Sequence, residues 1–243
     1  MVWEPRTYRQ LVEPSGLVTF EVRDGETDVQ VSASCELSAE AAAVVRAVRE
    51  PLEAYVAAHP AFAESFVPVA VEPGAPEIVR AMAAGARAAG VGPMAAVAGA
   101  VAERVATALA AHSRDVIVEN GGDIYLVGTA RRQVLLDAGD SPLSRTVALV
   151  LESETLPTAV CTSSGKVGHS VSLGTAHAVT VVAPDGALAD AAATALGNLV
   201  HGPDDIARAL DRAAAIPGLT GVVAIAGDRI GAWGAIVLAG TRG

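Results

Sequence analysis

A chain of 243 residues is long enough for one sizeable core or two small ones. It is 51% apolar but only 3% aromatic, so Ala, Val, Leu and Ile must build that core. A formal net charge of −10 speaks against general nucleic-acid binding, which needs a basic face to neutralise phosphates.

The N-terminal stretch MVWEPRTYRQ lacks the basic-then-apolar pattern of a signal peptide. Strands are predicted over Leu17–Arg23 and Thr27–Ala33, joined as a hairpin by the turn signal Asp24-Gly25. Ser38 is the expected N-cap of an Ala-rich helix to about His59, with Pro51 kinking it or opening a second helix. Phe66–Val71 reads as a short strand. Pro76 opens a helix that ends near Gly90, and Gly92-Pro93 separates it from a third helix over Met94–His112. The most apolar stretch, Val91–Ala102, is too short for a membrane span and runs into Glu103 and Arg104.

Strands follow over Asp115–Glu119, Ile124–Gly128, Gln133–Asp137, Val147–Glu152, Ala159–Thr162 and Ala178–Ala183. Helices are expected over Ala187–Val200 and Pro203–Ala214. A hairpin of Gly221–Ala226 and Ile230–Leu238 closes the chain. Hairpins mixed with helices indicate an α+β fold with mixed or antiparallel sheets. One domain over 1–243 is expected: a hairpin and helices to 90, a motif-bearing core over 91–200, and a closing helix and hairpin over 201–243. We read the protein as soluble and cytoplasmic.

Four places carry polar chemistry. Asn120-Gly121-Gly122-Asp123 joins two strands, and its glycines permit positive φ or close approach of a ligand. An ordinary hairpin turn explains the same residues. Thr162-Ser163-Ser164-Gly165 follows a strand, and consecutive hydroxyls and N–H groups before a glycine make an anion cradle. Lys166, the single lysine of the chain, would add positive charge to a phosphate there. His169 would donate to a phosphate oxygen or act as a base.

Asp190 and Thr194 stand four apart, on one face of a predicted helix of alanines. A buried carboxylate with no arginine near it in sequence is costly, and a bound cation would compensate it. Carboxylate and hydroxyl oxygens suit Mg²⁺, with substrate phosphate and water completing the shell. A position near the helix start, favoured by the dipole, is the competing explanation. Cys35 and Cys161 form no Cys-x-x-Cys pair and are expected as free thiols, with a Cys35–Cys161 disulfide as the alternative. Cys161 ends an apolar strand, which favours core packing over a Cys–His nucleophile pair with His169.

In this order, GPMAAVAGAVAE, ENGGDIYL, CTSSGKVGHSVS and LADAAATALGN resemble the ApbE superfamily, the flavin transferases that move FMN from FAD onto a protein hydroxyl using Mg²⁺. The chain looks more like the shorter branch of that superfamily than like the transferases themselves. The likeness spans about Gly92 to Val200. It implies an ApbE-like fold, Mg²⁺ and FAD as cofactors, and a metal set of Asp190, Thr194 and Val97.

Val97-Ala98-Gly99 stands where the family has Ala-Lys-Gly, so Ala98 replaces a lysine. Glu103 falls where the family has an Asp. Asn120 to Asp123 and Thr162 to Gly165, with Lys166, would hold the cofactor, and His169 and Asp190 would serve catalysis. An enzyme of this kind would be a transferase, taking a small phosphorylated ligand and an acceptor protein. Two other readings stay open: a non-catalytic flavin- or metabolite-binding protein, and a role in sulfur-amino-acid metabolism. Ala- and Val-rich surfaces leave room for a homodimer.

Overall fold

The computed structural model describes Val12, Pro14 and residues 16–165 and 174–241. Two alternating strands, β1 (Val18–Asp24) and β2 (Thr27–Ala33), pair antiparallel around Gly25, whose φ of 54° needs a glycine. The Arg49 guanidinium lies over this turn, where a Cβ on Gly25 would strike it. Arg49 belongs to α1 (Ser38–Ala58), which passes through Pro51 unbroken. Ser38 is the first helical residue rather than the N-cap; Leu37 holds that place, and the Glu36 carboxylate accepts the Ser38 N–H instead. A short α2 (Pro60–Glu64) follows.

The expected strand over Phe66–Val71 does not form. Pro68 offers no N–H, and no neighbouring strand pairs with the segment. Its start is seated on Gly92, where a side chain would collide with the Ser65 carbonyl. α3 (Glu77–Ala89) ends at a left-handed Gly90. The next helix begins later than Met94: Pro93–Ala96 is a 3₁₀ turn, and α4 covers Val97–Leu109.

The remaining elements are β3 (Val116–Asn120), β4 (Asp123–Val127), β5 (Arg132–Leu135), β6 (Val147–Leu151), β7 (Thr158–Ser163), β8 (Ala178–Ala183), α5 (Gly186–Gly197), α6 (Ile206–Ala214), β9 (Gly221–Ala226), β10 (Arg229–Gly234) and β11 (Val237–Gly240). Eight strands form one antiparallel sheet in the order β1-β2-β3-β4-β7-β8-β9-β10. A second sheet has the order β11-β6-β5. The predicted closing strand Ile230–Leu238 is therefore two strands. Gly234, at φ 82°, turns the chain out of the large sheet and into the small one.

Alternation decides which core each side chain enters. On β9, Val222 and Ala224 face the helices while Val223 and Ile225 face the small sheet. On β7, Ala159 and Cys161 take the helical side and Val160 the other. Both faces of the central strands are covered, which explains their almost continuous apolar sequence. The helical layer is packed through small residues. A Cβ on Gly85 would come 2.7 Å from the Ala187 backbone, and Gly99 and Gly186 abut where α4 meets α5.

Candidate functional site

Where α4 meets α5, each helix caps the other. The first N–H groups of a helix have no partner within it. At the start of α5, Asp185 accepts from the Leu188 N–H at 2.8 Å, and Glu103 of α4 accepts from the Gly186 N–H at 2.7 Å. At the start of α4, Asp190 of α5 accepts from the Gly99 N–H at 2.9 Å and from the Ala98 N–H. The close Gly99–Gly186 contact permits this, because a Cβ on Gly99 would lie 2.8 Å from the Asp190 Cβ. Asp190 therefore has partners that its sequence neighbours do not reveal.

The Asn120–Asp123 segment is a two-residue hairpin turn between β3 and β4, with Asn120 paired to Asp123. Gly121 and Gly122 have φ of 67° and 103° with open space around them, so conformation rather than crowding requires glycine. The polar side chains turn inward. Asn120 Nδ2 donates to the Ala98 carbonyl at 3.1 Å, and Glu119 accepts from the Gly122 N–H at 2.7 Å. Asp123 is buried; its Oδ1 accepts from the Thr162 N–H at 3.0 Å. It also hydrogen-bonds Asp190, and the neighbouring Cys161 thiol donates to the Gly186 carbonyl at 3.9 Å. Asp123 thus joins α5 to the end of β7.

Burial pushes Asp190 up to about 7, opposed by its backbone donors and by the hydrogen bond from Asp123. Burial pushes Asp123 well above the usual carboxylate range, and the nearby Asp190 charge adds to this. Both carboxyls are therefore held above the ordinary range by their burial. Glu103 is also raised by burial. Burial and the surrounding carboxylates push the Cys161 thiol up, so it stays protonated and is no nucleophile.

The Thr162–Gly165 donors are largely spent on the protein. Thr162 Oγ1 bonds Thr180 Oγ1 at 2.9 Å, Ser164 Oγ donates to the His177 carbonyl at 2.7 Å, and the Gly165 N–H donates to the Ala176 carbonyl at 3.0 Å. Ser163 lies buried, its hydroxyl facing Gly197. Lys166 and His169 lie outside the described residues. His177 has a structural part: its Nδ1 accepts from the Gly227 N–H at 3.1 Å and its Nε2 meets Asp140 at 3.1 Å.

The geometry brings together Asp190, Asp123, Asn120 and the Val97–Gly99 start of α4, with Thr194 one turn along the same helix face. Sequence reasoning about the site missed the Glu103 cap and the Asp123 bond to the Thr162 N–H. The spacing of Gly99 and Glu103, four apart on α4, carried the signal for the former. Among the described residues, no group of three or more His, Cys, Asp and Glu side chains stands ready to hold a metal ion. Asp190, Asp123 and Thr194 are oxygen donors, the ligand type a hard cation takes. No helix among the described residues is long and apolar enough to cross a membrane.

Residues 9–230 match the family described as AbpE bacteria. This chain belongs to that family. It is 45% identical to a UPF0280 protein of Methanopyrus kandleri, over 85% of this chain and 86% of the relative. It is also 45% identical to a UPF0280 protein of Methanocaldococcus jannaschii, over 77% and 78%. Its fold is that of the ApbE flavin transferases. It matches the flavin transferase ApbE of Vibrio cholerae with a TM-score of 0.57, covering 91% of this chain and 97% of that one at 15% identity. The apo flavinyl transferase ApbE of Pseudomonas stutzeri matches at 0.55, over 89% and 93%, with 16% identity. The chain is thus an ApbE-like protein of the UPF0280 branch, with the α+β architecture its sequence led us to expect.

Proposed function

We propose that this ApbE-like protein binds a phosphorylated small molecule, with a flavin nucleotide as its chemical class, and does not turn it over. The observation that carries this reading is the Asp123–Asp190 carboxyl pair at the mutual caps of α4 and α5. Asp190, Thr194 and the backbone at Val97 would hold Mg²⁺ there, and the ion would neutralise phosphate oxygens of the ligand. The likeness to flavin transferases over nearly the whole chain supports flavin as the class. Two features favour binding without transfer: Ala98 stands where the transferases carry a lysine, and the Thr162–Gly165 donors are engaged by the protein.

The second reading, also resting on that whole-chain likeness, is FMN transfer from FAD to a Ser or Thr of an acceptor protein. The acceptor oxygen would attack the FMN phosphorus, AMP would leave, and the hydroxyl proton would pass to a base, for which His169 is the candidate. A role in sulfur metabolism would not run through Cys161, whose thiol is buried and protonated.

Titration of the purified protein with FAD, with and without Mg²⁺, tests the proposal by flavin fluorescence. Mg²⁺-dependent binding that disappears in Asp190→Ala is the expected result. No binding under either condition overturns it. Covalent flavin on a Ser- or Thr-bearing acceptor establishes the second reading in its place.

A further inference from the structure

α4 begins without a cap of its own. Ala96 stands at its N-cap position and makes no side-chain hydrogen bond there. A helix start frays unless its first groups are held from outside. Asp190 of α5 takes two of them, the N–H groups of Ala98 and Gly99. Asn120 supplies a second hold from the sheet. Its Nδ2 donates to the Ala98 carbonyl at 3.1 Å, an oxygen whose second lone pair remains after the bond within the helix. The Ala98 residue is thus gripped at its N–H by α5 and at its C=O by β3. The position of Asn120 is itself fixed. It pairs directly with Asp123 across the two-residue turn, so both side chains leave the sheet on the face where Val118 and Tyr125 enter the helical core. The two ends of one tight turn therefore reach both helices: Asn120 holds the start of α4, and Asp123 holds Asp190 of α5.

We propose that Asn120 is a positioning residue of the candidate site. Through the Ala98 carbonyl it fixes the Val97–Gly99 backbone against Asp190, and it does not touch the ligand. Its motif led us to expect a cofactor contact; the hydrogen bond gives it an indirect part instead. The consequence for binding rests on the Mg²⁺-dependent flavin reading above, in which the Val97 backbone and Asp190 hold the ion. Two donors on one ion must keep a set separation, and here the rigid β3–β4 turn sets it, because the turn is tied to both helices.

Asn120→Ala removes the donor, and Asn120→Asp keeps the shape but, ionised, has no donor. Amide hydrogen exchange of the full chain without ligand, read by NMR, should be faster at Ala98 and Gly99 in both variants and unchanged in β3 and β4. In FAD titrations, Asn120→Ala should raise the Mg²⁺ concentration at half-saturation about 2–10-fold, the range that one hydrogen bond supplies, and saturating Mg²⁺ should restore the FAD affinity. Unchanged exchange at Ala98 and Gly99 overturns the inference. Faster exchange throughout β3 and β4 overturns it too, because the side chain then serves the hairpin rather than α4. An FAD affinity lowered at every Mg²⁺ concentration, with the Mg²⁺ midpoint unmoved, also overturns it, because Asn120 then contacts the flavin. If the unsubstituted chain binds no FAD, the ligand reading fails by itself, and the exchange at Ala98 and Gly99 still decides whether Asn120 holds α4.

Discussion

Asp190 and Asp123 sit where two helices and a strand end converge, and the raised pKa of Asp190 is a measurable consequence of that placement. The folded pKa of Asp190 is raised to about 7, whereas an unfolded Asp titrates near about 3.9. The proton it keeps on folding therefore adds stability that is fully present below about pH 4 and is lost as the pH rises through about 7. Thermal melts of the unsubstituted chain should fall between about pH 4 and 7. Asp190→Asn still accepts from the Gly99 N–H but cannot ionise, and its melts should lack a share of that fall on the order of 2 kcal/mol, about 4–8 °C. Parallel pH profiles for the two proteins would show that Asp190 does not carry a raised pKa.

The exchange of caps between α4 and α5 makes the two helices a single mechanical unit. Gly99 permits it, since any Cβ there would press on the Gly186 carbonyl and the Asp190 Cβ. Gly99→Ala should separate the helices, cost about 1–3 kcal/mol in urea unfolding, and weaken Mg²⁺-dependent FAD binding by moving Asp190. Glu103 makes the opposite cap. Glu103→Ala leaves the Gly186 N–H without its acceptor and should cost about 1–3 kcal/mol, whereas Glu103→Gln keeps an acceptor oxygen and should cost much less. Equal losses in the two variants would mean that the carboxylate charge, rather than the hydrogen bond, is what α5 needs.

Two apolar layers grip the eight-stranded sheet, and only one of them carries the candidate site. The helical layer holds Leu196 of α5, and the small-sheet layer holds Leu149 of β6; both are fully buried. Leu149→Ala and Leu196→Ala should each cost about 2–5 kcal/mol in unfolding experiments. Ligand and cation binding at Asp190 should survive the first and weaken in the second, because α5 is displaced only in the second. If Leu149→Ala weakens binding as much as Leu196→Ala, the central sheet transmits strain between the layers.

The strand and helix periods, the Asp24-Gly25 and Asn120–Asp123 turns and the α+β class were all legible in residue order, because hydrophobic period and turn chemistry are local properties. β8 and β9 were placed correctly to the residue, since each is a continuous apolar run bounded by turns. The segments on which the family resemblance rests were equally visible. Partner choice was not. Phe66–Val71 has strand-like residues but no strand to pair with. Ile230–Leu238 reads as one strand, yet the left-handed Gly234 divides it between two sheets. Asp190 looked unpaired because its donors, Ala98 and Gly99, lie far away in the chain. Main-chain donors carry no side-chain signature, so only the folded arrangement, in which two glycines let α4 and α5 touch, reveals that this carboxylate is a cap as well as a candidate ligand.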